Sequence, residues 1–213
     1  MRPADCARRR STFGRRGIAA LEFVLVTPVF MFIALATADL VRLFRAQIRL
    51  EMIAVQIGQI VSQCTAITQT GDTDQFWTHA ERIADGLVNV NSPTGGAMII
   101  TAISSNTNNT ANVLRWRVRT GNVANLGTFG NTAVNGNPTI RGAGSASFIV
   151  PAGQMLFVTE VYANVEPWTL SAGLIGTVVS QQIEGMTMFL SRATEPARLQ
   201  TAPETSTTRK CTA

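Results

Sequence analysis

Few residues in this 213-residue chain have the types and spacing that chemistry needs. His79 is the only histidine, and no nucleophile or carboxylate is spaced to pair with it in its helical stretch; it reads as a structural or exposed residue. Asp72 and Asp74 alternate as in a calcium loop, but the glycine and distal glutamate that complete such a loop are missing. Helix capping accounts for Asp72. Gly142-Ala143-Gly144 lacks the third glycine and the strand–turn–helix setting of a dinucleotide fingerprint. Arg115, Arg117 and Arg119 alternate with Leu114, Trp116 and Val118. Period two puts the arginines on one solvated face of a strand and the apolar side chains on the other, as a half-buried strand needs. No catalytic constellation, metal cluster or cofactor motif emerges, and the chain reads as a non-enzyme.

One residue resists a bland reading. From Ile18 to Ala38 runs a 21-residue apolar segment in which Glu22 is the only charge. At about 1.5 Å per residue such a helix crosses a bilayer core of about 30 Å. A carboxylate near the start of a span is neutralised, moved to the interface or paired. Arginines before the span hold that end in the cytoplasm and place everything after Leu40 on the other side. Asp39 and Arg42, at the far end, have the spacing of an interfacial pair.

The charge follows this division. The net +5 invites a nucleic-acid reading, but residues 1–17 carry six arginines and one aspartate. The other 196 residues hold 12 basic and 12 acidic side chains, a balance of zero. The basicity is a topogenic leader and no nucleic acid is expected as a partner. The cysteines divide likewise. Cys6 lies in the leader, whereas Cys64 and Cys211 fall in the exported part, where a disulfide persists. Pairing them would fasten the tail to the helix end and close a very long loop. The alternative is two free thiols, because Cys211 sits in a Thr/Ser/Pro/Glu-rich stretch that reads as disordered.

These residues need elements to carry them. Residues 1–17 form the leader, 18–41 a transmembrane helix, and 42–64 its periplasmic extension. Beyond the span Arg42, Arg45, Arg49, Gln56, Gln59 and Gln63 make one polar stripe. Leu43, Phe44, Ile48, Met52, Val55, Ile60 and Val61 supply apolar surface on the remaining arc. Residues 65–193 read as a periplasmic α+β domain. Asp72 with Gln75 suggests a capping box for a second helix with an apolar face from Phe76 to Val88. Strands are expected at 97–103, 113–119, 155–165 and 186–192, with a long loop or irregular hairpin over 121–147. Residues 168–179 read as an apolar loop or short helix, and 194–213 as a polar, disordered tail. The fold class is α+β: a long N-terminal helix, one further helix, and an antiparallel sheet of about four strands.

The stretch from Arg15 to Cys64 resembles the TadE-like family, the pseudopilins and minor pilin-like proteins of bacterial tight-adherence (Tad) pilus systems. Gly17, Ala19, Ala20, Glu22, Phe23, Pro28 and the Asp39–Phe44 exit carry the resemblance. The position of Pro28 follows the TadE-like pattern and departs from that of ordinary type IV pilins. The resemblance implies a prepilin peptidase cutting between Gly17 and Ile18, which leaves Glu22 fifth in the mature chain. It implies that Glu22 pairs with a freed N-terminal amine, usually a neighbour's, during assembly. The implied partners are the peptidase, pilin and pseudopilin subunits, inner-membrane platform proteins and the lipid bilayer, with no cofactor. Two other readings stay open. Ala36-Thr37-Ala38 offers a signal-peptidase site releasing a soluble periplasmic binding domain. Alternatively the helix is an uncut anchor for a periplasmic sensor or envelope domain.

Overall fold

The apolar run at the N-terminus forms one helix, α1, over Phe13–Gln63, 51 residues long. This is a computed structural model, and it describes residues 13–122, 124–141, 147–166, 170 and 181–211. The helix begins five residues before Ile18, the start expected from the sequence, so the end of the leader is already helical. Arginine is a good helix former, and the glycines at 14 and 17 weaken a helix without ending it. Pro28 sits inside without breaking the element. The hydroxyls of Thr27 and Thr37 donate to the carbonyls of Phe23 and Ile33, at 2.6 and 2.8 Å. An apolar surrounding demands such internal partners.

The chain divides into two compact units, 1–41 with 168–178, and 42–167 with 179–213. In the first, Leu21, Phe23, Leu25, Phe30 and Met31 all stand exposed on the helix. Among the described residues α1 is the one helix long and apolar enough to cross a membrane.

In the second unit four antiparallel strands lie in the order β3-β2-β6-β7: β2 (Ala97–Ser105), β3 (Asn112–Gly121), β6 (Met155–Val165) and β7 (Gln181–Leu190). The α+β architecture is therefore as the sequence implies. All nine residues of β2 are buried, as a central strand covered on both faces requires. β7 starts five residues earlier than expected because its polar start, Gln181 and Gln182, lies exposed on the sheet's edge strand.

The 42–63 part of α1 packs through Ala46, Leu50, Ile53, Ala54, Ile57 and Val61. Of the expected apolar arc, Val61 is buried and Leu43 and Ile60 pack against the core, whereas Phe44, Ile48, Met52 and Val55 are exposed. Small residues decide the choice. A Cβ on Gly58 would stand 2.8 Å from Phe189 Cδ2, and one on Gly185 2.7 Å from the Leu50 carbonyl carbon. Helix and edge strand approach too closely for side chains there. The buried face combines small residues, Ala46, Ala54 and Gly58, with Leu50, Ile53, Ile57 and Val61.

Helix α2 (Thr73–Ala84) buries Phe76, Trp77, Ala80 and Ala84. It stops short of the expected Leu87 and Val88 because Asp85 and Gly86 both take positive φ, and the Asp85 N–H closes on the Glu81 carbonyl. A bulge shifts the β2–β3 register: Ala102 pairs with Trp116 but Ile103 with Leu114. Leu114 is thereby turned to the face opposite Trp116, and each joins a different apolar cluster. The sequence pattern had put both on one face.

The expected loop over 121–147 contains β4 (Ile140–Arg141) paired with β5 (Ser147–Phe148). Gly142-Ala143-Gly144 lies outside the described residues, as do residues 168–179 apart from Leu170. The C-terminal stretch, expected to be disordered, is instead built into the domain. A 3-10 helix (Pro196–Gln200) precedes β8 (Glu204–Ser206), which pairs in parallel with β1 (Thr68–Thr70). Trp116 Nε1 donates to the Leu199 carbonyl at 2.6 Å and Leu199 is buried. Composition alone could not reveal these partners, which come from β1 and β3.

Candidate functional site

Gly17 and Ile18 lie in the helical backbone near the start of α1, and Glu22 follows one turn later. Glycine costs a helix about 1 kcal/mol relative to alanine, so this first part of α1 opens more readily than an alanine-rich one. The Glu22 side chain is exposed, and among the described residues no group bonds to it. At the other end of the span Asp39 is buried, and both its carboxylate oxygens accept the Leu170 N–H at 3.1 Å. The sequence offered Arg42 as its partner; the structure adds a backbone donor 131 residues away.

Where α1 ends, the C-terminus is fastened to it. Cys64 and Cys211 form a disulfide, Cα–Cα 4.6 Å, across a separation of 147 residues. Asp72 lies beside it, 3% exposed. It was expected to cap α2, but its side chain makes no cap hydrogen bond. Its Oδ2 instead accepts from the N–H of Thr68 at 2.8 Å, of Lys210 at 3.1 Å and of Cys211 at 3.2 Å. The Thr68 hydroxyl lies 3.0 Å from the same oxygen and 2.7 Å from the Thr208 carbonyl. A buried carboxylate needs such donors, and the tail supplies what helix capping would have supplied. Lys210 also pairs with Glu204. His79 is exposed on α2 and borders an open cavity with Arg82 and Arg209. Among the described residues no His, Cys, Asp or Glu group is arranged to hold a metal ion.

Arg119 on β3 is exposed, as period two implies, but Arg115 and Arg117 are half-buried, which corrects the expectation of a wholly solvated arginine face. Arg117 Nη2 reaches the Phe129 carbonyl and Nη1 the Gly130 carbonyl, the latter at 3.5 Å. Arg119 Nη2 bonds the carbonyls of Asn122 and Asn125, both at 3.0 Å. Arg115 is used internally on Ser104 and Ser105. From β6, Glu160, 1% exposed, accepts the Thr128 N–H at 2.7 Å and the Tyr162 hydroxyl at 3.1 Å. Three charged side chains thus bind the polar backbone of a loop onto the sheet. Burial pushes the Arg117 guanidinium down from its ordinary value, opposed by the Glu160 charge.

Burial first, and the Glu160 carboxylate second, push the Tyr162 phenol well above its ordinary value. Tyr162 is the only tyrosine, so phenolate absorbance reports it directly. An unfolded tyrosine ionises near pH 10. The neutral phenol's contribution to stability is therefore whole below about pH 10 and is lost as pH rises through the higher folded value. The expected titration shows almost no phenolate at about pH 11 in the folded protein, whereas most of the phenol is ionised there in denaturant. Titration at about pH 10 in both states would remove Tyr162 from the buried cluster.

Residues 17–58 are TadE-like: this stretch matches the TadE-like protein family. No curated protein and no solved structure matches the chain. The TadE-like stretch opens at Gly17, contains Glu22, Pro28 and Asp39, and ends at Gly58, which packs against Phe189 of β7. It points to a Tad pilus-associated protein. Cys64, Asp72 and Glu160 lie beyond the TadE-like residues. Sequence reasoning singled out the cysteines from their compartment. It missed Asp72 as a tail ligand and Glu160 as a loop ligand, because both partners are backbone groups far along the chain.

Proposed function

We propose that this protein is a non-catalytic pseudopilin or minor pilin-like subunit for assembly of a Tad-type adhesion pilus. The first part of α1 lies in the bacterial inner membrane with its N-terminus cytoplasmic, and the second unit stands in the periplasm. A prepilin peptidase cuts between Gly17 and Ile18. The freed amine of Ile18, on one subunit or its neighbour, pairs with Glu22 as the stem joins pilin and platform proteins. The observation that carries this reading is the TadE-like match beginning at Gly17, with a lone exposed glutamate in an apolar helix. A carboxylate in such a setting requires a partner, and a new N-terminus one turn away is a cation of the right reach.

Two further features support it. Phe44, Ile48, Met52 and Val55 recur at helical steps on the exposed side of α1, as a stem that packs against other helices needs. The disulfide between Cys64 and Cys211 suits an oxidising compartment.

Terminal sequencing of membrane-purified protein tests the reading, and the expected first residue is Ile18. A start at Asp39 would favour a secreted soluble domain, and an intact Met1 an uncut anchor. A bulky residue at position 17 should block processing while leaving membrane insertion unchanged, because only the approach of the peptidase to the backbone depends on the absent Cβ.

A further inference from the structure

Just past the span, α1 borders a cleft that shares only Ile48 with the exposed apolar side of the stem. Arg45, Ile48 and Arg49 face the turn Asp85–Leu87 after α2 across an open cavity of about 540 Å³. Its charge is unbalanced, two arginines against the one carboxylate of Asp85. Arg49 Nη1 donates to the Ile83 carbonyl at 3.2 Å, which orients one guanidinium and leaves its other donors available. Arg45 is exposed and has no hydrogen bond or ion pair among the described residues. Beside these cations stand apolar side chains that water alone does not favour, Ile48 at 57% and Leu87 at 38% exposure. A Cβ on Gly86 would meet nothing within 4 Å, so the floor of the turn is open.

Arg45 follows Val41 by four residues on the same helix, about 6 Å of rise. With the span ending at Val41, that is the level of phospholipid headgroups. We propose that this cleft binds the headgroup phosphate of an anionic phospholipid of the bilayer. Arg45 and Arg49 take the phosphate, and Ile48 and Leu87 lie against the glycerol and the first acyl carbons. Paired guanidinium donors suit phosphate oxygens, and apolar walls suit a ligand that is amphipathic at this depth. A soluble anion would satisfy the arginines but not the apolar walls. The inference rests on the membrane anchoring in the function proposed above.

The test uses the full chain in nanodiscs of mixed phosphatidylglycerol and phosphatidylcholine, with the lipid retained on purification measured by mass spectrometry. The parent should retain phosphatidylglycerol in excess of its share in the disc. Arg45→Gln should lower that excess about fivefold, and Arg45→Gln with Arg49→Gln about 25-fold, from roughly 1 kcal/mol per basic residue near an anionic surface. Arg82→Gln, an exposed arginine outside the cleft, should change nothing. An intact Cys64–Cys211 bond in each variant reports that the domain is folded. Alkaline extraction separates the two failures. An inserted parent without preference, or a double variant that keeps the parent's preference, overturns the headgroup site alone. A chain that alkali washes from membranes overturns the anchoring, and the headgroup site with it.

Discussion

Cys64→Ser should lower the thermal midpoint of the protein by about 10 °C. The bond closes a loop of 147 residues, and the chain-entropy account of so long a loop gives about 5 kcal/mol as an upper figure. Removing a native disulfide more generally costs about 2–5 kcal/mol. The lower part of that range is expected here, because Asp72 still holds the backbone of Lys210 and Cys211 when the sulfurs part. About 3 kcal/mol at 2–4 °C per kcal/mol gives the stated shift. The check is melting by circular dichroism in detergent, with and without reductant. The parent should fall to the variant's midpoint on reduction, and the variant should not respond. Equal midpoints for oxidised parent and variant would mean that the bond adds nothing to what Asp72 already does. Asp72→Asn placed on Cys64→Ser should cost more than on the parent, since each fastening limits the damage from losing the other.

Glu22→Gln should leave insertion and cutting intact and abolish incorporation into the pilus complex. Glutamine keeps the size and hydrogen bonding of the side chain but removes its charge, which makes the helix easier to insert. In the proposed function the peptidase acts on the backbone at Gly17 before any amine exists, so the mature N-terminus should still be Ile18. Glutamate matters afterwards. An amine and a carboxylate attract far more strongly in a low-dielectric setting than in water, and a single unpaired charge there is unfavourable. The neutral variant keeps neither the attraction nor its directional preference. Co-purification of the processed protein with pilin subunits, together with surface adhesion, is the readout. Normal co-purification and adhesion by Glu22→Gln would reduce α1 to an anchor and remove the mechanism from the proposed function.

Local signals made the elements legible before any packing was known. A 21-residue apolar run with arginines before it is enough for a membrane-length helix, because hydrophobicity and length act within the segment itself. The alternation at β3, the buried run at β2 and the periodic face of α2 likewise belong to neighbouring residues, and the four-stranded α+β domain follows from them. Which side of α1 faces the sheet could not be read that way. The stem has apolar residues on nearly every side beyond the span. Gly185 in β7 comes against the Leu50 backbone, and Gly58 in α1 against Phe189, only when the fold has formed, and these close approaches select Leu50, Ile53 and Ile57 over Phe44, Ile48 and Met52.

Glu22 and the cysteines show the same boundary at the level of single residues. Glu22 was legible because its cost arises from its own segment. So were Cys64 and Cys211 as candidates, from the compartment that the span implies. The tail between Ala193 and Cys211 was not. Its threonines, prolines and charges have no apolar periodicity, so nothing local orders it. Order comes from β1, which pairs with β8, from Trp116, which bonds the Leu199 carbonyl, and from Asp72, which takes the N–H groups of Lys210 and Cys211. Arg117 was misread, and Glu160 missed, for a related reason. Alternation places a side chain on a face, but a loop some ten to thirty residues distant decides whether that face meets water or a row of backbone carbonyls. Sequence determines what a segment can do by itself. Only the tertiary structure decides which distant backbone groups come to a buried charge, because a backbone donor carries no identity in the sequence and acquires its position only when the chain closes.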